Sequence, residues 1–457
     1  MAPKLEKPTW MVAREIGESV PTFDHDMMDR LINIYSLVGC FPHAYHIGGI
    51  RCPTHQYLDV APNNNEESPQ GSRYARMQQY ASRTEFAGLK TVSAVDFDMT
   101  GKHLASVTRG GCLLVHDFEA LNYRMQAQPF MMVDLENNER RNMLRDEEIR
   151  HNLHVEVARG LVAVKWNPFH QNQVACVSLL DNIVRVFDVN HSLSEPASEY
   201  TSQRGGGLSD IAFTSTGSQI FASHRNGLVQ GWDAGRHQPC INLLGGLSLK
   251  SVELDGQDQV VFAAGRGDGL YMWDVRAGTS SAASPRQVNS LPSVDLFNKL
   301  KTKRREEFKS NAEELVSVRL NPSCKHLLAF QHKEGWSGTF NLNNLNIAHI
   351  HRRDSSAAGT GLDWIRPSWF STKSIYLEPL NGGIRLVDFH PTTILQSYEA
   401  DSQDSQSRDI LLPQAVTSCA NAPFSEAIVA GTKGGCLLVF SQKQEVLEGS
   451  RCLIIQC

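Results

Sequence analysis

The chain has 457 residues, 41% of them hydrophobic and 20% charged, with a formal net charge of −5. This composition belongs to a globular protein able to bury a large core, and its acidic balance excludes a globally basic nucleic-acid binder. Met1-Ala2-Pro3-Lys4-Leu5-Glu6-Lys7-Pro8 has no apolar run behind its charges, and no stretch approaches the roughly 18 consecutive apolar residues of a membrane span, so neither a secretory leader nor a membrane anchor is expected. The ten cysteines are scattered, without a Cys-x-x-Cys pair, and read as reduced thiols of an intracellular protein of the nucleus and/or cytoplasm.

Residues 1–85 read as an extension. Met27, Leu31, Ile34, Tyr35 and Val38 recur at helical spacing, and Asp24 or Asp26 can cap their first turn, which predicts an amphipathic helix over about 25–38. Cys40, His43, His46, Cys52 and His55 follow, with Cys-x-x-His occurring twice. These residue types can hold zinc tetrahedrally, but the spacing fits no finger and the intervening aromatics and glycines suit a packed loop, so no metal is expected. Residues 62–69 are a polar loop.

From residue 86 to 457 one pattern recurs seven times: an apolar strand, a polar turn, a second strand rich in small residues, a Gly or Asn turn, and a third strand ending in an aromatic. The copies fall at 91–118, 161–189, 208–233, 249–275, 315–342, 361–389 and 415–441. Their closing aromatics are Phe118, Phe187, Trp232, Trp273, Phe340, Phe389 and Phe440. The spacing clusters near roughly 40–45 residues, the period of a propeller blade. Longer gaps require insertions at about 119–157, 277–312 and 399–412. A lone four-stranded sheet has two faces to bury, and stacking seven around an axis covers them. The expected fold is all-β, a seven-bladed β-propeller. Its closing strand is left open between residues 82–90 and 445–455.

In the fourth copy, Val261-Phe262-Ala263-Ala264-Gly265 leads through a glycine-rich turn to Leu270 and then Trp273-Asp274-Val275-Arg276. The repeats resemble those of the WD-repeat family, and this copy resembles the DWD box, or WDxR motif, of substrate receptors of cullin-4 RING ubiquitin ligases. Gly267 stands where the box has an acid, and Met272 where it has a branched aliphatic. The resemblance implies a non-catalytic receptor that docks on the ligase adaptor through Trp273, Asp274 and Arg276 and holds a substrate protein elsewhere. It also implies that a helix ahead of the propeller, here carrying Met27, Leu31, Ile34 and Tyr35, enters the adaptor's cleft. An arginine just past a strand end can present a rigid fork of donors to a partner, whereas within the propeller it would make a surface ion pair worth little. A general WD-repeat scaffold of another complex is the alternative.

Lys299-Leu300-Lys301-Thr302-Lys303-Arg304-Arg305 is the one dense basic run. Glu306 and Glu307 follow it, as in a salt-bridged surface helix, and it points to nuclear access more than to specific nucleic-acid binding. Gly265-Arg266-Gly267-Asp268-Gly269 lacks the spacing of a dinucleotide loop and reads as a turn. No Gly-x-Ser-x-Gly, His-Glu-x-x-His or kinase signature occurs, so neither catalysis nor a cofactor is expected.

Overall fold

The computed structural model describes residues 35–42, 45–47, 50–52, 88–127, 151–190, 195–203, 205–245, 247–266, 269–275, 290–295, 314–333, 335–352, 364–370, 375–389, 407–412, 414–424 and 427–442. They form a seven-bladed β-propeller of antiparallel four-stranded sheets, beside a small hairpin of β2 (Tyr45–Ile47) and β3 (Ile50–Cys52). The blades are built on first strands β4 (Val92–Phe97), β8 (Leu161–Trp166), β12 (Leu208–Phe213), β16 (Ser248–Leu254), β20 (Leu315–Leu320), β24 (Ser368–Trp369) and β28 (Val416–Asn421). These strands stand innermost. Burial on both faces explains why they read as nearly continuous apolar runs.

The seven closing aromatics perform one packing job. Each is at most 2% exposed. Phe187 packs among Val107 and Val115 of the preceding blade, Trp232 among Val162 and Val177, Trp273 among Phe221 and Val229, and Phe340 among Phe262 and Met272. Phe389 meets Ala329, Phe440 meets Phe370 and Leu386, and Phe118 meets Val429 and Val439 across the junction between last blade and first. An aromatic buries some 150–250 Å², enough to seal a blade-to-blade gap. Small residues on the second strands follow from the same crowding: a Cβ at Gly265, in β17 (Val260–Arg266), would collide with the Ser248 carbonyl of the inner strand.

In six blades the first strand carries a one-residue bulge, at Ser93, Val162, Ser209, Lys250, Val316 and Thr417. The bulge turns that residue toward the neighbouring blade. Ser93 donates to the Leu161 carbonyl (2.6 Å), Ser209 to that of Leu249 (2.6 Å), and Thr417 to that of Val92.

Several expectations are corrected. The predicted helix over 25–38 fails in its last turn. Tyr35–Pro42 is a strand, β1, pairing antiparallel with β30 (Cys436–Gln442) from Tyr35 opposite Gln442 to Pro42 opposite Cys436. It is the outer strand of the seventh blade, so the ring is closed by neither of the two candidate segments. A stripe of β-branched, aromatic and apolar residues there is ambiguous between periods, and pairing with a distant strand decides it. Met27, Leu31 and Ile34 lie outside the described residues. The gaps read as insertions contain fourth strands: β7 (His151–Glu156), β19 (Ser290–Asp295) and β27 (Ser407–Leu411). The first of them also begins with helix α1 (Phe118–Ala127), whose Ala120 amide is capped by the Asp117 carboxylate at 3.1 Å and whose Leu121 and Met125 join the core beneath Phe118. The first strand of the sixth blade is Ser368–Trp369, not 361–365.

Two histidines are sealed in this core. Burial pushes both His224 and His351 down to about 4 from an ordinary value of 6.5. The unfolded chain therefore binds protons below pH 6.5 that the folded chain refuses, and stability falls as pH drops from about 6.5 toward 4. Between pH 7 and 5 the loss is roughly 2 kcal/mol per histidine. Urea unfolding at the two pH values checks this, and His224→Gln should flatten the dependence; an unchanged slope would mean that His224 titrates normally.

Candidate functional site

Antiparallel strands place the turns joining first to second and third to fourth strands on one face, here the hairpin face. The remaining turns and the links between blades form the linker face. Trp273 and Asp274 end β18 (Gly269–Asp274), the third strand of the fourth blade, so the chain leaves that strand on the hairpin face. Trp273 lies opposite Val261 and Ser290, is 2% exposed and stacks on Tyr271 at 5.8 Å. It aims the strand end from within and is sealed from outside contact. Asp274 is half-buried, and Arg276 lies outside the described residues. Tyr35 opens the closing strand. The fourth copy thus gathers Trp273 and Asp274 at one rim, and the structure does not bring Met27, Leu31 or Ile34 to it. Cys40 falls in β1 and His46 and Cys52 in the small hairpin, whereas His43 and His55 lie outside the described residues, as does the basic run at 299–305. Among the described residues no three His, Cys, Asp or Glu converge as a metal site.

Around the axis, at the hairpin face, lies an ion cluster missed by the sequence reading. Arg366 fastens its backbone to the seventh blade through the Thr417 carbonyl and the Cys419 amide, both at 2.9 Å. Its guanidinium then crosses to the second and third blades, donating to the carbonyls of Val162 (3.2 Å) and Ser209 and pairing with Asp210 at 2.9 Å. Arg319 of the fifth blade pairs with the same Asp210 oxygen at 3.1 Å and with Glu253 at 3.2 Å, and Lys165 pairs with Asp96 at 3.2 Å. Burial opposes ionisation of Asp210, but Arg319 and Arg366 outweigh it and hold the carboxyl below the usual carboxylate range. Three carboxylates face three cations, so the cluster neutralises itself. It lines a shallow space of about 250 Å³ edged by Met99, Pro322 and Pro423. Arg366 escaped the sequence reading because the strand beside it was placed too early.

On the linker face a second recess, of about 510 Å³, lies between the third and sixth blades. Arg225, Lys250, Arg266, Lys333, Glu314 and Trp364 line it. Lys250 was legible: at the bulge position its counterparts are Ser, Val or Thr, and a lysine there breaks the repeat.

Fold and surface together define a seven-bladed β-propeller of the WD-repeat kind, a platform for binding proteins. No protein-family model matches the chain, and no curated protein is detectably similar to it in sequence. No helix among the described residues is long and apolar enough to cross a membrane.

Proposed function

We propose that the propeller is a non-catalytic substrate receptor that docks by its hairpin face on the adaptor of a cullin-4 RING ubiquitin ligase, in the nucleus and/or cytoplasm, and presents a protein bound elsewhere for ubiquitination. The observation that carries the protein-docking role is an arc of apolar side chains on the hairpin face. Phe424, Met99 and Phe169 occupy corresponding first turns of the seventh, first and second blades and are 81%, 55% and 66% exposed. Neighbouring large apolar side chains left in water mark a binding surface, whereas scattered ones do not. The Trp273-Asp274 strand end opens on this same face, and that register supports the particular adaptor. Ubiquitin transfer takes place on other subunits. This chain contributes proximity, raising the effective concentration of the tethered substrate.

The test is co-purification of the adaptor with the full chain and with a variant combining Arg276→Ala and deletion of residues 1–34. The deletion stops there because removing β1 would unfold the seventh blade. An arginine hot spot is worth about 2 kcal/mol or more, so retention should drop about thirtyfold. Unchanged retention rejects this docking mode. A scaffold role in another complex is the second reading, favoured by the same apolar arc. It predicts one stable set of partners without ligase subunits.

A further inference from the structure

The two charged sites differ in one respect that decides their roles. The axial cluster balances its charges internally and needs nothing from outside. The linker-face recess does not. Arg225, Lys250, Arg266 and Lys333 line it against the single carboxylate of Glu314, in a protein whose overall charge is negative.

Glu314 is already committed. It bridges Lys250 at 2.5 Å and Lys333 at 3.0 Å. Burial opposes its ionisation, but hydrogen bonds from the two lysines outweigh that and keep its carboxyl below the ordinary range. One carboxylate between two ammonium groups leaves a positive surplus, to which Arg225 and Arg266 add. Both arginines are exposed, at the ends of strands of the third and fourth blades.

Lys250 makes the site specific. It is 7% exposed, and its ammonium lies 5.1 Å from the centre of the Trp364 ring. Holding a lysine in such a place costs desolvation that Ser, Val or Thr avoid at the equivalent bulges. A local rule broken at one blade, with no gain inside the fold that the other blades lack, points to a ligand. The half-buried Trp364 ring supplies an apolar wall beside the cations.

We propose that the linker-face recess binds an acidic segment of a partner protein, with a carboxylate or phosphate side chain of that segment inserted between Lys250, Arg225 and Arg266 against Trp364. The recess is confined between neighbouring blades and holds one aromatic. It therefore suits one or two anionic side chains on a polypeptide. A nucleic acid would need a longer basic track with repeated stacking surfaces. The inference deepens the receptor reading by naming the chemistry of the bound protein, and its test contains no adaptor, so either reading can fail without the other.

The experiment measures retention of three degenerate peptide libraries on the full-length protein: one centred on Glu-x-Glu, one on phosphoserine, one neutral. A variant carrying Arg225→Glu and Arg266→Glu is run in parallel, its fold checked by thermal unfolding. The acidic or the phosphorylated library should be retained over the neutral one, and which of the two wins separates the carboxylate source from the phosphate source. The variant should lose about tenfold or more of that retention, as expected for two charge-assisted contacts. Equal retention of all libraries, undiminished retention by the folded variant, or displacement of the peptides by a single-stranded oligonucleotide or by inorganic phosphate alone would overturn the proposal.

Discussion

Deleting residues 1–42 is expected to leave the ring open and to abolish cooperative unfolding of the propeller. β1 supplies the outer strand of the seventh blade, and without it β30 presents an unpaired edge. The same segment contributes Phe41, which is fully buried among Val92, Phe118 and Val439 and meets the His116 ring edge-on at 5.1 Å. These contacts join the two sequence-distant parts of the chain that form the last blade. Phe41→Ala alone should cost about 3–5 kcal/mol, a large part of the net stability of a domain. Urea denaturation followed by tryptophan fluorescence is the measurement. A truncated chain with the midpoint of the whole protein would show that the seventh blade closes without β1.

Asp210→Ala is expected to destabilise the fold by about 3–5 kcal/mol, because it leaves two buried guanidiniums without their shared counter-charge. Asp210 also accepts from the Ser251 hydroxyl (3.0 Å) and the Val252 amide (3.2 Å), so both become unsatisfied at once. The pH dependence has a definite sign. The carboxyl is held below its ordinary value in the folded state, so its contribution is present above about pH 4 and is lost as pH falls through the lower folded value. Asp210→Asn, which keeps the shape and removes the charge, separates the ionic part from the packing part. If Asp210→Ala unfolds at the wild-type denaturant concentration, Arg319 and Arg366 do not depend on Asp210 for compensation.

The reading of the motifs is uneven for a physical reason. Trp273 and its six counterparts could be assigned because each belongs to a local pattern repeated along the chain, and repetition averages out the ambiguity of any single copy. The two-residue strand Ser368–Trp369 could not, because a strand that short has no period. Arg366, two residues earlier, was hidden with it. Tyr35 was assigned to a helix because its apolar neighbours fit either period, and the deciding partner, Gln442, lies some four hundred residues away. Lys250 stood out in the sequence as a lysine among Ser, Val and Thr, but its meaning needed Trp364 and Glu314 beside it.

The sequence by itself determined the blade and its sevenfold recurrence, since alternating burial, small second strands and closing aromatics are written within each copy of some forty residues. Only the tertiary structure decided how the ring closes, that the axis is filled by a balanced ion cluster, and that four cations meet around one carboxylate on the linker face. Those features join residues from different blades, and charges far apart along a chain acquire a net interaction only when folding brings them within a few ångströms and out of water.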